Sequence, residues 1–404
     1  MPENLVVAQS GGPTAVINSS MCGIVTEALQ RGKIRGIYGA INGILGVLSE
    51  DLVDLRQEDP DSLWNLRRTP SAALGSCRHK LSEREYARIM EVLVAHDVGY
   101  FLYAGGNDSM DTAHKVAKLA VEKKLNLHVI GVPKTVDNDL MITDHCPGYG
   151  SVARFNAITA RDSSLDSEAI YTSDTVKIIE TMGRDTGWIT ASTALATGDG
   201  LGPHLIYLPE HPFVSDRFLN DVKSVYDNVG RVVVAVCEGL KDENGEFIKA
   251  SQKGLDTDKF GHAQLGGVGD YLVGLVSEKL KVKARCDKPG TIQRVSMQYA
   301  SAVDLEEAYV VGQVAMSKAT EGESDKMVTL VRKRNSPYES ETGLVDLEKV
   351  ALKTKKVPNA YINDEGNFVS EEYLEYVRPL IGEALPPYAR LKKSRIKKLL
   401  PKFA

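Results

Sequence analysis

Residues 131–139, GVPKTVDND, place a lysine and two carboxylates directly after an apolar run. Asp137 and Asp139 are two residues apart, so in an extended backbone their side chains face the same way. One carboxylate could accept a proton from a hydroxyl while the other serves a metal or orients a substrate. A turn rich in aspartate and asparagine that caps a helix is the alternative interpretation of an isolated DND. The segment is a candidate for general-base chemistry.

Two other segments, residues 10–18 (SGGPTAVIN) and 104–113 (AGGNDSMDTA), carry paired glycines at the end of an apolar run. Glycine lets a backbone approach phosphate oxygens closely, and a following helix offers free N–H groups and its positive dipole end. Pro13 suits the first turn of the helix after the first pair, where a missing N–H has no cost. A tight turn without a ligand is the alternative for one such loop alone. The two loops together favour phosphate binding.

The segment ETMGRDTGW, residues 180–188, also lies at the end of a predicted strand. Arg184 follows Gly183, so its guanidinium lies beside a backbone that a ligand can approach. The planar fork of arginine suits the oxygens of a phosphoryl group. Alone, this is a weak indication of phosphate binding.

The elements that must position these residues alternate between short apolar runs and segments of helical period, which predicts a parallel sheet flanked by helices. Ile17, Met21, Ile24 and Ala28 recur as one face of a helix. The predicted strands are residues 5–8, 100–104, 128–132, 175–180, 205–208, 231–237 and 327–332, and residues 306–319 are predicted to be helical. A chain of 404 residues is long enough for two domains.

The composition limits the classes of protein to which the chain can belong. A net charge of -5 and a pI near 6.0 give the molecule no electrostatic attraction to nucleic acid. The 5 cysteines lack a CxxC spacing and fit reduced thiols better than disulfides or a zinc site. Without a recognisable signal peptide or an apolar stretch that could cross a bilayer, we expect a cytoplasmic protein with no membrane partner. The basic end, RLKKSRIKKLLPKFA, is expected to be a solvated terminal helix or to dock on a partner subunit.

Two features are assigned no chemistry. Residues 261–272 (GHAQLGGVGDYL) are glycine-rich, but no apolar strand precedes them, so we expect a loop that enters a helix. Trp64 and Trp188 are expected to be packing residues and not to stack on a ligand.

The combination of GGND, PKTVDND and MGR is more specific than any of these motifs alone, and through it the chain resembles the phosphofructokinase family, within it the pyrophosphate-dependent branch. The resemblance extends from SGGPT to about Arg332 and implies an α/β fold. Two Rossmann-like three-layer domains with mainly parallel sheets are expected, with the active site in the cleft between them. The implied division is 1–147 with about 294–322 for the phosphoryl donor, 148–293 with about 323–347 for the sugar phosphate, and 348–404 as a C-terminal extension.

The resemblance also implies roles for individual residues. Asp137 is expected to be the base that takes the proton of the sugar 1-hydroxyl, and Asn107 stands at the position of the magnesium-binding acid. Arg285 is expected to come from a neighbouring subunit, which implies a homodimer or homotetramer. The residues expected at the donor phosphates are Gly12, Arg78 and Lys134, and those expected at the sugar phosphate are Thr135, Val136, Asp137, Met182, Gly183, Arg184, Glu238, Arg285 and Arg294.

Three positions depart from the family pattern. Asn107 replaces an aspartate, so the metal is expected to be bound more weakly there or to be shared with Asp108. Thr291 stands where many members have a histidine in the 6-phosphate pocket. Thr175 stands where the bacterial ATP-using members have an arginine, and Lys177 is the candidate for the missing cation.

Asp108 and Lys134 bear on the choice of phosphoryl donor. ATP-using members that resemble this chain have glycine at the first position and a small residue at the second. A carboxylate would take the room of the α-phosphate of ATP and repel it by about 4 kcal/mol, for unit charges ~4 Å apart at an effective dielectric near 20. Lys134 can neutralise a diphosphate group. The alternative is that Asp108 only caps a helix that opens at Ser109, but this leaves Lys134 unexplained.

The activity implied by the resemblance is reversible transfer of a phosphoryl group from diphosphate to the 1-hydroxyl of fructose 6-phosphate, with Mg2+ as cofactor. The products are fructose 1,6-bisphosphate and phosphate, and the reaction can serve glycolysis or gluconeogenesis. Alternatives are an ATP-dependent phosphofructokinase, a dinucleotide-binding oxidoreductase and a non-catalytic sugar-phosphate sensor. No G-x-G-x-x-G follows the first strand, which disfavours the oxidoreductase, and a sensor needs no base. Sedoheptulose 7-phosphate stays open as a second acceptor.

Overall fold

All seven predicted strands are present, and the described residues form four more that were not predicted, at residues 37–40, 52–54, 284–287 and 338–346. Helices occupy most of the segments between the strands. The computed structural model describes residues 4–198, 200–248 and 267–400. Its strands are β1 (Asn4–Gln9), β2 (Ile37–Ala40), β3 (Leu52–Asp54), β4 (Val98–Gly105), β5 (His128–Pro133), β6 (Val176–Thr181), β7 (Leu205–Tyr207), β8 (Val232–Cys237), β9 (Ala284–Asp287), β10 (Lys326–Asn335) and β11 (Tyr338–Asp346). Its α-helices are α1 (Ile17–Gln30), α2 (Ile44–Ser49), α3 (Pro60–Asn65), α4 (Glu83–Ala95), α5 (Asn107–Glu122), α6 (Tyr149–Ile170), α7 (Trp188–Ser192), α8 (Ser215–Val229), α9 (Val268–Leu280), α10 (Ile292–Val295), α11 (Ala302–Thr320), α12 (Leu347–Val350) and α13 (Glu371–Val377).

Seven of the strands form the first sheet, in the order β11-β10-β5-β4-β1-β2-β3. The five central strands are parallel, and the edge strands β11 and β3 are antiparallel to their neighbours. Side chains alternate between the two faces, so Val6 lies in the core under α4 and α5 while Val7 lies in the core under α1 and α11. Helices on both faces make this half a three-layer unit, as predicted.

The second sheet has four parallel strands in the order β7-β8-β6-β9. Val234 of β8 faces the core shared with α8 and α9, and its neighbour Val233 faces α6. β6, β7 and β8 are buried at every position, and β7 and β8 therefore read as continuous apolar runs in the sequence, whereas the edge strand β9 is only partly buried. The predicted α/β fold with mainly parallel sheets is confirmed.

The structure differs from the expected domain division in residues 323–347. These residues were assigned to the sugar-phosphate half, but β10 pairs with β5 of the first sheet, with Lys326 opposite Ile130, and β11 extends the same sheet. The physical reason is the path of α11, which packs against the first sheet and returns the chain to its β5 edge. The remaining boundaries stay a prediction.

The C-terminal extension contributes to the core of the second half. Tyr361, Tyr373 and Tyr376 surround Trp188, with ring centroids 6.1, 6.4 and 5.4 Å from it. Trp188 is therefore a packing residue, as expected. Residues 391–400 contain no helix, and Leu391 is 84% exposed, so the predicted terminal helix is wrong for the described part of the tail.

Three smaller expectations concern the glycine-rich segment, Trp64 and the membrane. Helix α9 begins at Val268, while residues 261–266 lie outside the described part of the chain. Trp64 is half exposed and packs with Arg67 and Tyr309. Among the described helices, none has the length and apolar character needed to pass through a bilayer.

A buried ion network around His145 joins the link between β5 and α6 to neighbouring elements. His145 Nδ1 lies 2.8 Å from a carboxylate oxygen of Asp144, and Nε2 lies 2.6 Å from Glu307 on α11. Arg332 of β10 donates to Asp144 at 2.8 Å. Burial alone would lower the pKa of His145, but the two carboxylates outweigh it and raise this pKa to about 9. The imidazole is therefore charged at neutral pH.

We expect the stabilisation that His145 contributes, taken as the difference in free energy of unfolding between the wild type and His145→Gln, to fall as the pH rises from 6.5 to about 9. The unfolded chain loses the histidine proton first, so the stabilisation by His145, fully present below pH 6.5, is lost as the pH passes about 9. A pKa difference of this size corresponds to roughly 3 kcal/mol. Urea unfolding of both proteins at a series of pH values gives the slope of the free energy of unfolding with pH, which should be more positive in His145→Gln than in the wild type. Groups that titrate in both proteins, such as Lys134, cancel in the comparison.

His204→Gln is the matched control for this measurement. Burial lowers the pKa of His204 to about 4, so its imidazole is neutral throughout the window. This substitution should leave the slope as it is in the wild type. A wild-type slope that persists in His145→Gln would contradict the charged state assigned to His145.

Candidate active site

The loops that follow several parallel strands meet in one cleft between the two sheets. The cleft has a volume of about 780 Å³. In open α/β sheets, ligands bind at the carboxyl ends of the strands, which is where these loops lie. The predicted residues that line it are Gly12, Arg78, Asn107, Asp108, Lys134, Thr135 and Asp137 from one side, and Met182, Gly183, Arg184, Glu238 and Arg294 from the other. All but two of the residues predicted for the site are thus brought together.

The two exceptions are Val136 and Arg285. Val136 is 7% exposed and packs in the core beside Tyr149, so its side chain is turned away from the predicted sugar contact. Arg285 lines a separate cavity of about 410 Å³, where its Nε lies 2.5 Å from Asp174. Within one chain Arg285 does not reach the cleft, so a role there requires a second copy.

The positions that depart from the family pattern fall in different places. Thr291 lines the cleft. The hydroxyl of Thr175 donates to the carbonyl of Lys283, at the start of β6. Lys177, the candidate replacement cation, lies in the same cavity as Arg285 and pairs there with Asp166 at 3.0 Å. Its charge is therefore already balanced within the chain.

The first glycine loop brings two cations against its backbone. Gly11 has φ 76, in the left-handed region that favours glycine. Lys134 Nζ donates to the carbonyl of Gly12 at 2.8 Å. A Cβ at Gly12 would lie 2.8 Å from the guanidinium of Arg294, so a side chain there would displace it. Glycine is needed because the cations approach this closely.

Pro13 does not have the position expected for it. Helix α1 begins at Ile17, so Pro13 lies before the helix and not in its first turn. The hydroxyl of Thr14 accepts a hydrogen bond from the N–H of Ile17 at 2.9 Å and so satisfies one of the free donors at the helix start. The loop between Pro13 and Ile17 separates the glycine pair from the helix, and the expected direct passage from loop to helix is wrong.

The second glycine loop leads directly into a helix, and Asp108 lies in its first turn. Helix α5 begins at Asn107 after Gly106, so it opens earlier than Ser109, and Asp108 is not its N-cap. The alternative in which Asp108 serves only as a cap is therefore wrong. A carboxylate is favoured in a first helical turn by the helix dipole, and this one also lines the cleft.

The carboxylates of Asp137 and Asp139 lie on a turn instead of an extended segment. Asn138 between them has φ 53, a left-handed conformation that asparagine tolerates better than most residues. Its side chain accepts from the N–H of Cys146 at 3.0 Å and donates to the hydroxyl of Tyr376 at 2.9 Å. The expected extended geometry is wrong, yet the turn still places both carboxylates in the cleft.

Ionisable groups of both signs meet at the base of the cleft. Burial, and then the charges of Arg294 and Arg78, lower the pKa of Lys134 to about 7. Burial, and then the charge of Asp139, raise the pKa of Asp137 to about 7. A carboxylate with a pKa in this range is well matched to accept a proton at neutral pH. The arrangement suits proton abstraction next to a bound anion.

Asn107 and Asp139 supply oxygen atoms that a metal ion could use. The amide N–H of Asn107 donates to one carboxylate oxygen of Asp139 at 2.9 Å. The other carboxylate oxygen and the Asn107 amide oxygen are buried and, within the described part of the chain, have no hydrogen-bond partner. Mg2+ takes oxygen ligands, keeps several waters and uses substrate phosphates, so it needs few protein ligands. Among the described residues, no group of three or more acidic, His or Cys side chains is arranged so that it could hold a metal ion, and this pair with its few ligands fits Mg2+.

The opposite wall of the cleft offers donors to an anion. The carboxylate of Glu238 accepts from the N–H of Gly183 at 3.2 Å, and burial raises the pKa of Glu238 to about 7. The Nε of Arg294 is buried and has no hydrogen-bond partner among the described residues, while the buried Nε of Arg184 has only an ion-pair contact with Asp185 at 3.6 Å. Since a buried unpaired donor is costly, these guanidinium groups indicate that an anionic ligand belongs between them.

Sequence reasoning missed two residues of the cleft, Leu352 and Thr354. They lie just after α12, in the segment assigned to a C-terminal extension. The backbone N–H of Lys355 donates to the carbonyl of Asp139 at 2.7 Å, so this segment contacts the turn that carries the carboxylates. No motif marks these residues, because their position depends on contacts with residues more than 200 positions earlier.

Known proteins resemble this chain over nearly its whole length. A protein from Xanthomonas campestris named pyrophosphate--fructose 6-phosphate 1-phosphotransferase is 43% identical, with 98% of each chain covered. A protein of the same name from Halomonas elongata is 41% identical, with 99% of each covered. The crystal structure of a pyrophosphate-dependent phosphofructokinase from Nitrosospira multiformis matches with a TM-score of 0.87 and 39% identity, covering 100% of both chains.

The family model described as phosphofructokinase matches residues 4–317. This range contains both glycine loops, the turn with Asp137 and the arginine loop with Arg184. The full-length similarity to the two relatives agrees with this match. The chain therefore belongs to the phosphofructokinase family.

Proposed function

We propose that this chain is a pyrophosphate-dependent 6-phosphofructokinase, a phosphotransferase that acts reversibly on the 1-hydroxyl of fructose 6-phosphate. The observation that carries the proposal is that a buried Lys134 and Asp108 line one cleft together with the Asp137 carboxylate. The names of the relatives from Xanthomonas campestris and Halomonas elongata support the same donor and acceptor. We further propose that the enzyme is a cytoplasmic homodimer or homotetramer.

The sugar phosphate binds along the wall formed by the second sheet. Its 6-phosphate accepts hydrogen bonds from Arg294 and from Arg285 of a second copy of the chain. The buried Nε of Arg294 has no other hydrogen-bond partner among the described residues. Glu238 accepts a hydrogen bond from a sugar hydroxyl. These contacts hold the 1-hydroxyl within reach of Asp137 and in line with the donor, which lowers the entropic part of the barrier.

The chemical step is an in-line displacement at the terminal phosphorus of diphosphate. Asp137 takes the proton of the 1-hydroxyl, the sugar oxygen forms a bond to phosphorus, and the bond from phosphorus to the bridging oxygen breaks. The bridging oxygen leaves with inorganic phosphate. Lys134 and Arg184 stabilise the charge on the equatorial and leaving oxygens. In the reverse direction Asp137 returns the proton to the sugar oxygen.

Asn107 and Asp139 are the residues that would hold Mg2+, through the two unpaired oxygen atoms described above. The ion, when bound, supplies positive charge that neutralises the phosphates of the donor. Asn107 contributes a neutral oxygen where an acid is expected, and Asp139 contributes the carboxylate. Asp108 lies beside Asn107 on the same helical turn and is the second candidate for this role.

Asp108 and Lys134 together select the shorter donor. The carboxylate of Asp108 repels the α-phosphate of a nucleoside triphosphate, by about 4 kcal/mol at ~4 Å and an effective dielectric near 20. Since about 1.4 kcal/mol is tenfold, this corresponds to roughly a thousandfold against ATP. Diphosphate lacks the third phosphate. It also favours the charged form of Lys134, whose pKa is lowered in its absence.

Steady-state kinetics with diphosphate and ATP as alternative donors test the proposed function. The wild type should use diphosphate with fructose 6-phosphate and use ATP poorly. In the double variant Asp108→Gly, Lys134→Gly, kcat/KM for diphosphate should fall at least a hundredfold, because the neutralising ammonium is lost, and the preference for diphosphate over ATP should shrink. Asp111→Gly is the matched control, since it removes a carboxylate from the same helix outside the cleft lining. Preference of the wild type for ATP would refute the proposal.

The role of Asp137 predicts the effect of Asp137→Asn, which keeps the shape of the side chain and removes the base. We expect kcat to fall by about 10²–10⁴-fold with diphosphate, in both reaction directions, while the KM for fructose 6-phosphate changes little. Progress curves of the forward and reverse reactions provide the measurement. Turnover within threefold of the wild type would show that another group takes the proton.

A further inference from the structure

The segment 352–357, called here the C-terminal strap, crosses from one wall of the cleft to the other. Leu352 and Thr354 line the cleft itself. Leu352 has φ 58, a left-handed backbone conformation that is unfavourable for leucine, and its side chain is 65% exposed. Strained backbone of this kind often occurs at functional sites. No sequence motif connects this part of the chain with the site.

Lys355 is the residue through which the strap contacts the turn that carries the carboxylates. Its backbone N–H donates to the carbonyl of Asp139 at 2.7 Å. Its ammonium donates to the side-chain oxygen of Asn138 at 3.3 Å, and to the carbonyls of Thr143 and Asp144 at 3.1 and 2.9 Å. An ammonium has three donors, and all three have acceptors here. Lys355 therefore fixes the turn at both its backbone and its side chain.

The other end of the strap is joined to the loop that follows β6. The indole N–H of Trp188 donates to the carbonyl of Lys355 at 3.0 Å. The N–H of Val357 donates to Glu210 at 3.0 Å, and the same carboxylate accepts from the N–H of Gly187. Gly187 and Trp188 directly follow residues 182–186, the arginine loop. This loop belongs to the side of the cleft formed by the second sheet, where the sugar phosphate is proposed to bind, and this side is called here the sugar wall. The strap thus links the turn that carries Asp137 to the loop that carries Arg184.

We propose that Lys355 is a positioning residue for the phosphoryl transfer, which sets the place of Asp137 by holding the left-handed Asn138 between the two carboxylates. The proposal rests on the proposed function and deepens it. Asn138 is already bonded to Cys146 and Tyr376, which fix the peptide on one side. Lys355 adds the contact that couples the turn to the sugar wall, so the base and the sugar move as one unit. Displacements of about 1 Å at a reacting group can cost a hundredfold in rate.

The test compares Lys355→Met, Lys355→Arg and the control Lys353→Met. Lys355→Met keeps the length of the side chain and removes its three donors, while Lys353 is an exposed lysine of the same strap that is not among the residues lining the cleft. Steady-state kinetics are measured per folded chain, with the folded fraction taken from urea unfolding. We expect kcat to fall 10- to 100-fold in Lys355→Met with less than a threefold change in either KM. Lys355→Arg should recover at least a third of the wild-type kcat, and Lys353→Met should match the wild type.

A kcat per folded chain within twofold of the wild type in Lys355→Met would overturn the proposal, as would a loss confined to stability. Trp188→Phe serves if Lys355→Met does not fold, because it removes the indole N–H bond to the strap and keeps an aromatic ring. In that variant an unchanged kcat would overturn the proposal and a reduced kcat with unchanged KM would support it. The preference of the wild type for diphosphate or ATP is measured in the same set of kinetic assays. If the wild type prefers ATP, the proposed function fails while the variant ratios, measured with ATP, still decide the role of Lys355.

Discussion

The site depends on one buried ammonium group surrounded by other charges. Lys134 Nζ donates to the carbonyl of Gly12, which joins the end of β5 to the loop after β1. Arg78 and Arg294 add positive charge beside it, and burial together with these cations lowers the pKa of Lys134 to about 7. A bound diphosphate reverses this balance, because its negative charge stabilises the ammonium. The positive charges of Lys134, Arg78 and Arg294 are thus balanced best when an anion of high charge density is bound.

The scaffold places this charge cluster by aligning strand ends. β1, β4 and β5 are neighbours in the first sheet, so the two glycine loops and the turn after β5 emerge side by side. In the second sheet β6 and β8 are also neighbours, so the arginine loop after β6 and Glu238 after β8 emerge side by side. The C-terminal strap then joins the two groups of loops through Lys355. The proposed proton abstraction by Asp137 needs both halves, since in this proposal one half positions the base and the other positions the sugar.

Much of this arrangement could be predicted from local sequence, and the rest depends on distant contacts. β5 was predicted almost to the residue, because a strand buried on both faces leaves a continuous apolar run. The turn at Asn138 was missed because its left-handed backbone is stabilised by Tyr376, 238 residues away in sequence. The role of Lys355 was missed for the same reason. The alternative in which Asp108 caps a helix opening at Ser109 put the helix start two residues too late, because α5 begins at Asn107 and helix ends are poorly marked when glycine precedes them.

The binding of ATP to Asp108→Asn tests the central claim most directly. The substitution keeps the size of the side chain and removes its charge, so it separates repulsion from lack of room. Titration calorimetry at fixed ionic strength gives the Kd of ATP and of diphosphate, both with magnesium, for the wild type and the variant. The account predicts that ATP binds at least tenfold more tightly to Asp108→Asn while the Kd of diphosphate changes less than threefold. An unchanged Kd for ATP, or an equal change for both ligands, would contradict selection by the charge of Asp108.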